Sequence, residues 1–276
     1  MLRPGGLADP RLVIEAQAQD RSPDGRTTDG ARLTAEVRYD ATRELIALRT
    51  EPSTGADALV GRAVASGFRA AATPLADPAS VLGLLLDELP VALVIAGYAH
   101  ALTRELPPGA DRYRPALGLC SGWRQDGTMA TAVAGGEPVP LRPGPPAPAD
   151  QATPLLPLGM RRRRRIDVHR VDDQVDVRAM FRDTYADPDG LETVLHEYEL
   201  SATLDTGTLT IREIEATPRV LPAPECPWAA ASATRLVGVP VTELRTTVSR
   251  ELRGTATCTH LNDLFRSLAG VPALLG

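Results

Sequence analysis

Apolar and polar positions alternate over residues 166–171, 174–181, 193–204 and 208–217. That is the period of a half-buried strand, and turn-forming residues separate the four runs, so an antiparallel meander is predicted. Asp205-Thr206-Gly207 makes the last hairpin, with Gly207 expected at positive φ. Beyond Pro218 the period changes. Residues 227–237 are rich in Ala, then Leu244, Val248 and Leu252 recur at helical spacing, followed by Leu261, Leu264, Phe265 and Leu268, which predicts three helices. The first half runs in the same order: strands over 12–17, 33–39 and 44–50, then helices over 61–72, 80–89 and 92–102. Val81, Leu85 and Leu89 align with Leu244, Val248 and Leu252, and Tyr98 falls opposite Cys258. The expected fold is therefore α+β: two tandem repeats, each an antiparallel β-meander followed by about three helices, forming a pseudo-dimer.

Between the halves, residues 135–159 are too rich in Pro for a helix or a central strand and read as an extended linker. This gives a degenerate N-terminal repeat over 1–134, a Pro-rich linker over 135–159 and a C-terminal repeat over 160–276. The chain's 276 residues are 43% hydrophobic and 24% charged, enough to bury a core. Thirty cationic side chains, all Arg, against 35 acidic ones leave a net charge of −5, which disfavours nucleic acid as the partner. Aromatic residues are 4% of the chain, too few for a base-stacking platform. The first ten residues lack the apolar stretch of a signal peptide, and the apolar run over 82–95 is interrupted by Asp87, Glu88 and Pro90, so no membrane span is expected. Three cysteines are too few for a disulfide framework, which points to a reducing cytoplasm.

The densest chemical signal is residues 254–264, where Cys258 and His260 precede the apolar stripe of a helix. A helix start lowers a thiol's pKa, and thiolate with imidazole suits zinc or iron. Cys226 precedes the first helix of this half, and His196-Glu197 sit early in the third strand, so His196, Cys226 and Cys258 are the expected metal ligands. Without a metal, Cys258 is a nucleophile with His260, or His196, as its base; with one, Glu197 is the general base. Each has a plainer reading, since a buried Cys packs as a small apolar group and a single His at a strand start is commonly a surface residue. Cys120 to Gly127 combines a thiol, Trp123 and a turn, and Trp123 would wall a pocket if the segment reached the other repeat. The five guanidinium groups of Arg161 to Arg165 suit capture of an anion, or protect a strand edge. No phosphate loop, HExxH, paired CxxC or Gly-x-Ser-x-Gly is present.

Arg161 to Arg165, His196-Glu197, Cys226 and the stretch Gly254 through Leu264, with its Cys-Thr-His-Leu core and Asp263 in place of Glu, resemble a bacterial domain family of unknown function. More distantly, the meander followed by Cys226, Ser232, Gly238, Thr242-Glu243 and Cys258 is similar in order to the NifU and SufE scaffolds of iron–sulfur assembly, with His196 where their first thiol would stand. The leading functional reading is an enzyme that acts on a small organic acid or acyl-thioester by metal-assisted lyase or hydrolase chemistry, with zinc or iron as cofactor. Beside it stand a non-catalytic metal or iron–sulfur carrier and a structural pseudo-dimer without a site. The partner expected is a small-molecule substrate, with no nucleic acid and no membrane, on a chain that is a monomeric pseudo-dimer or a homodimer.

Overall fold

Alternation of buried and exposed side chains builds two antiparallel sheets, one of three strands and one of four, with helices following each in the chain. The computed structural model describes residues 1–102, 116–135, 137, 139–140, 144–147 and 153–275. Its contacts divide the chain into two compact units, the first comprising Met1–Gly97 and the second running from Tyr98, so the division falls ahead of the Pro-rich stretch.

In the first unit β1 (Arg11–Arg21), β2 (Thr27–Arg38) and β3 (Leu45–Glu51) form the meander, with Ile14 opposite Ala35 and Val37 opposite Leu45. Their inward residues pack with Leu59, Phe68, Leu82, Leu86 and Leu89. The helix expected over 61–72 shrinks to α1 (Phe68–Ala72), because Gly61 and Gly67 take left-handed backbone and Ala63 pairs with Glu44 ahead of β3. The two helices expected on either side of Pro90 are one, α2 (Val81–Leu102). Proline removes one helical donor there, while Leu85, Leu86, Leu89 and Leu93 bury on both sides of it. Joined in this way, Val81–Ala99 is long and apolar enough to cross a membrane by length and composition, but 72% of its apolar window is buried inside the structure, as in a core helix.

The second unit holds α3 (Thr128–Ala134) and the meander β4 (Met160–Val171), β5 (Gln174–Ala186), β6 (Glu192–Asp205) and β7 (Ile211–Val220). A 3₁₀ helix (Cys226–Leu236), α4 (Leu244–Glu251), α5 (Thr259–Ser267) and α6 (Val271–Leu274) follow. The inward side chains Val175, Val177, Phe181, Tyr198, Leu200 and Leu204 pack with Leu244, Val248, Leu261, Leu264 and Phe265 in one core. In the last hairpin Asp205 Oδ1 accepts from the backbone N–H of Gly207 (3.0 Å) and Thr208 (2.8 Å). The positive φ expected at Gly207 is instead at Leu209 (52°), because the Asp205 carboxylate already closes the turn before it.

The stretch read as a free linker is partly tied down. Residues 136, 138, 141–143 and 148–152 lie outside the described ones, but Pro146 bridges to Thr193, Ala147 N–H donates to the Glu192 carbonyl (2.8 Å) and Val194 N–H donates to that of Pro145 (3.0 Å). The partner is available because β7 pairs with β6 only as far as Glu197. Prolines are tolerated there because the edge requires few donors of them. Gly144 fits where a Cβ would lie 1.8 Å from the Val194 carbonyl oxygen. Gly144→Ala is therefore expected to cost about 1–3 kcal/mol by forcing the segment off β6. Gly135→Ala, whose Cβ would meet nothing nearer than 3.5 Å, should stay within about 0.5 kcal/mol of the parent in urea denaturation. Equal midpoints for the two variants would contradict this docking.

Candidate metal centre

The apolar inner face of the four-stranded sheet turns polar at one end. Two residues beyond Phe181, and so on the same face, β5 carries Asp183; two residues before Tyr198, β6 carries His196. Arg162 on β4 lies opposite Asp183, and Asp183 opposite His196, so three strands contribute one lateral row. α5 brings His260 over that row, its ring stacked on His196 at 4.2 Å between centroids and 25° between planes. Tyr98, which counts with the second unit, sets its ring edge-on to His196 at 4.9 Å.

Asp183, His196 and His260 are 0%, 2% and 4% exposed, and one ligand atom from each lies within 4.8 Å of the others. Among the described residues this is the one group of three His, Cys, Asp or Glu brought so close. Arg162 grips the Asp183 carboxylate with a fork, Nε to Oδ1 at 2.6 Å and Nη2 to Oδ2 at 2.7 Å. His196 Nδ1 stands 3.6 Å from Asp183 Oδ2, too far for a hydrogen bond. Neither His196 Nδ1 nor His260 Nε2 has a hydrogen-bond partner among the described residues, although both are buried. Burial holds both imidazoles far below the ordinary histidine value of 6.5, His196 at about 3, with the Arg162 charge adding to the effect. Burial pushes the Asp183 carboxyl up, opposed chiefly by Arg162.

The sequence-predicted residues fare unevenly. His196 and His260 meet, and Cys258 joins them at the edge of the group, its Sγ 3.8 Å from His260 Nδ1. Positions 258 and 260 meet because Cys258 is the extended N-cap residue and lies outside the helical spiral. A helix start was expected to acidify this thiol; full burial pushes it the other way and keeps it protonated, which removes the thiolate nucleophile. Cys226 does not join the group of three. It packs with Cys120, Trp123, Met129 and Ala223, and burial raises its thiol to about 12. The Cys120 segment does reach this unit, Ser121 N–H donating to the Thr257 carbonyl (2.8 Å) and Ser121 Oγ–H to that of Glu225, with Trp123 buried as a packing residue. Glu197 faces away from His196, its two oxygens taken by Arg182 at 2.9 and 2.6 Å, so no general base stands there. Asp183 was not singled out, and Arg162 only as one of the five guanidinium groups of Arg161 to Arg165. The signal for Asp183 was charge at an inward position of a strand whose other inward residues are apolar; Arg162 shares its face of β4 with Arg164, so parity did not set it apart.

Residues 160–273 match the family model described as "Protein of unknown function (DUF2889)". A DUF2889 domain thus covers β4 to α6 and with them Arg162, Asp183, His196, Cys258 and His260. No curated protein and no solved structure matches the chain, so nothing in the comparisons carries the NifU/SufE likeness.

The two imidazoles of the DUF2889 domain give the metal-free protein an acid weakness of definite sign. A folded pKa below the unfolded 6.5 leaves stability whole above pH 6.5 and drains it as pH falls toward about 3, because the unfolded chain takes up protons that the folded one refuses. Asp183, shifted upward, works the other way and offsets part of the loss. Unfolding free energy should fall between pH 7 and 5 by up to about 1.4 kcal/mol per pH unit for each histidine. His260→Asn should remove one histidine's share of that slope in urea titrations; an unaltered slope would contradict the burial of a neutral ring.

Proposed function

We propose that the DUF2889 domain is a metal-dependent catalytic unit in which Asp183, His196 and His260 hold one divalent ion, zinc or ferrous iron. The observation that carries this reading is the pair of buried imidazole nitrogens without partners beside a buried carboxylate. Two histidines and one carboxylate are a donor set that both ions accept, with coordination positions left over for a substrate. When bound, the ion supplies Lewis-acid polarisation of a carbonyl, which suits lyase or hydrolase chemistry on a small organic acid or acyl-thioester.

The remaining groups have supporting tasks. His260 Nδ1–H donating to the Cys258 sulfur leaves the Nε2 lone pair for the ion, the outer contact fixing the tautomer. In the metal-free protein the Arg162 fork holds the Asp183 carboxylate in place. Burial of the whole group excludes water and strengthens each charge interaction within it. The same burial favours a second reading, an ion that is structural or carried to a partner, since closed sites are typical of structural metals. We also read the two units as diverged copies, on the ground that each sets an antiparallel meander ahead of its helices.

Metal analysis of the purified protein is expected to find about one equivalent of zinc or iron per chain. It should be lost in His196→Ala and His260→Ala and retained in Cys226→Ser. Loss of acyl-thioester turnover on chelation, with the melting temperature little changed, supports catalysis; a large fall in melting temperature supports the structural ion. Iron with inorganic sulfide supports the carrier, and metal-free protein that takes up neither ion removes the centre.

A further inference from the structure

We infer, on the reading of Asp183, His196 and His260 as a metal centre, that Arg162 is its resident counter-cation: the guanidinium that holds the ligand carboxylate until a divalent ion displaces it onto Asp263. The Asp183 carboxylate is wholly buried, and such a group requires a positive partner. Arg162 meets that need with one nitrogen on each oxygen at 2.6 and 2.7 Å, and the Arg164 charge adds to it. Oδ2 is also the oxygen 3.6 Å from His196 Nδ1, so the atom an ion would share with the histidine is one the guanidinium already holds.

An arriving ion and a guanidinium in contact with one carboxylate in a buried site repel each other, and the weaker charge gives way. A second buried carboxylate lies beside it, already in an ion pair with the guanidinium. Asp263 on α5 lies with Oδ2 3.9 Å from Arg162 Nη1, and its Oδ1 receives Arg266 Nη2. The guanidinium also lies over the Phe181 ring, 4.6 Å from its centroid, a flat surface over which it can shift between the two carboxylates without leaving its contact. Charge is thus conserved across the exchange, Asp183 passing from Arg162 to the ion and Arg162 from Asp183 to Asp263. Affinity for the ion is set by the difference between these states rather than by the three ligands alone.

The test titrates Zn²⁺ into the metal-stripped full chain in competition with a chromophoric chelator, and needs no assay of turnover. Arg162→Gln is expected to bind Zn²⁺ more tightly than the parent by roughly tenfold or more, opposite in sign to the loss that follows removal of a partner that orients a metal ligand. Asp263→Asn should weaken binding by a similar factor while Arg162 is present and change little in the Arg162→Gln background, a double-mutant cycle whose coupling a general loss of stability would not reproduce. Zn²⁺ should also raise the melting temperature of Arg162→Gln more than that of the parent. Arg162→Lys, which keeps the charge and loses the fork, should fall between the two and serves if Arg162→Gln folds only with the ion. Zn²⁺ bound by the parent and bound no more tightly by either variant overturns the counter-cation role and leaves the centre standing. Absence of binding to parent and variants alike overturns both.

Discussion

A carboxylate with no exposed surface cannot remain ionised in a protein interior without a cation against it, and the second unit is arranged around that requirement. Asp183 sits at the polar end of an otherwise apolar sheet face, and Arg162 is the residue directly opposite it on the edge strand. The register of β4 on β5 therefore carries an electrostatic load as well as a hydrophobic one. A slip of one residue would turn Arg162, Ile166 and Val168 to the outer face; Arg161 or Arg163 would then meet the carboxylate, but the apolar contacts of β4 with the core would be lost.

From that pair the rest of the polar layer follows. The β5–β6 register sets His196 beside Asp183, and the register shift just past Asp183 lets the strand change course without disturbing the row. α5 is fixed over the row by an apolar stripe, Leu261, Leu264, Phe265 and Leu268, and by Asn262, whose amide donates to the Leu252 carbonyl at 2.8 Å. With the helix so held, His260 has one place to go, flat on His196. Cys258, at the extended cap, turns back to the same ring.

Much of this was legible in the sequence. The four strands of the second unit and the helices after them follow from period alone, because each strand has one buried face and each helix one apolar stripe. His196, Cys258 and His260 were found because rare side chains stood close to element ends. Pro90 misled, since a proline's local cost was outweighed by leucines buried on both sides of it. Cys226 misled for a different reason. A strand-to-helix junction near the right end of the sheet does not say whether a side chain turns toward the polar row or into the separate apolar cluster around Trp123. Asp183 was hidden because a carboxylate in an alternating strand reads as an outward residue unless its parity is counted against Phe181.

The span matched by the family model is smaller than the piece of chain that closes its hydrogen bonds. Val194, two residues before His196, donates to Pro145; Thr257 and Glu225 accept from Ser121. A polypeptide trimmed to begin at residue 160 would present all three backbone groups to solvent and bare the first residues of β6. The domain, as a physical object, begins upstream of its recognisable signature, and the residues that complete it include some from the stretch that composition alone marks as connecting chain.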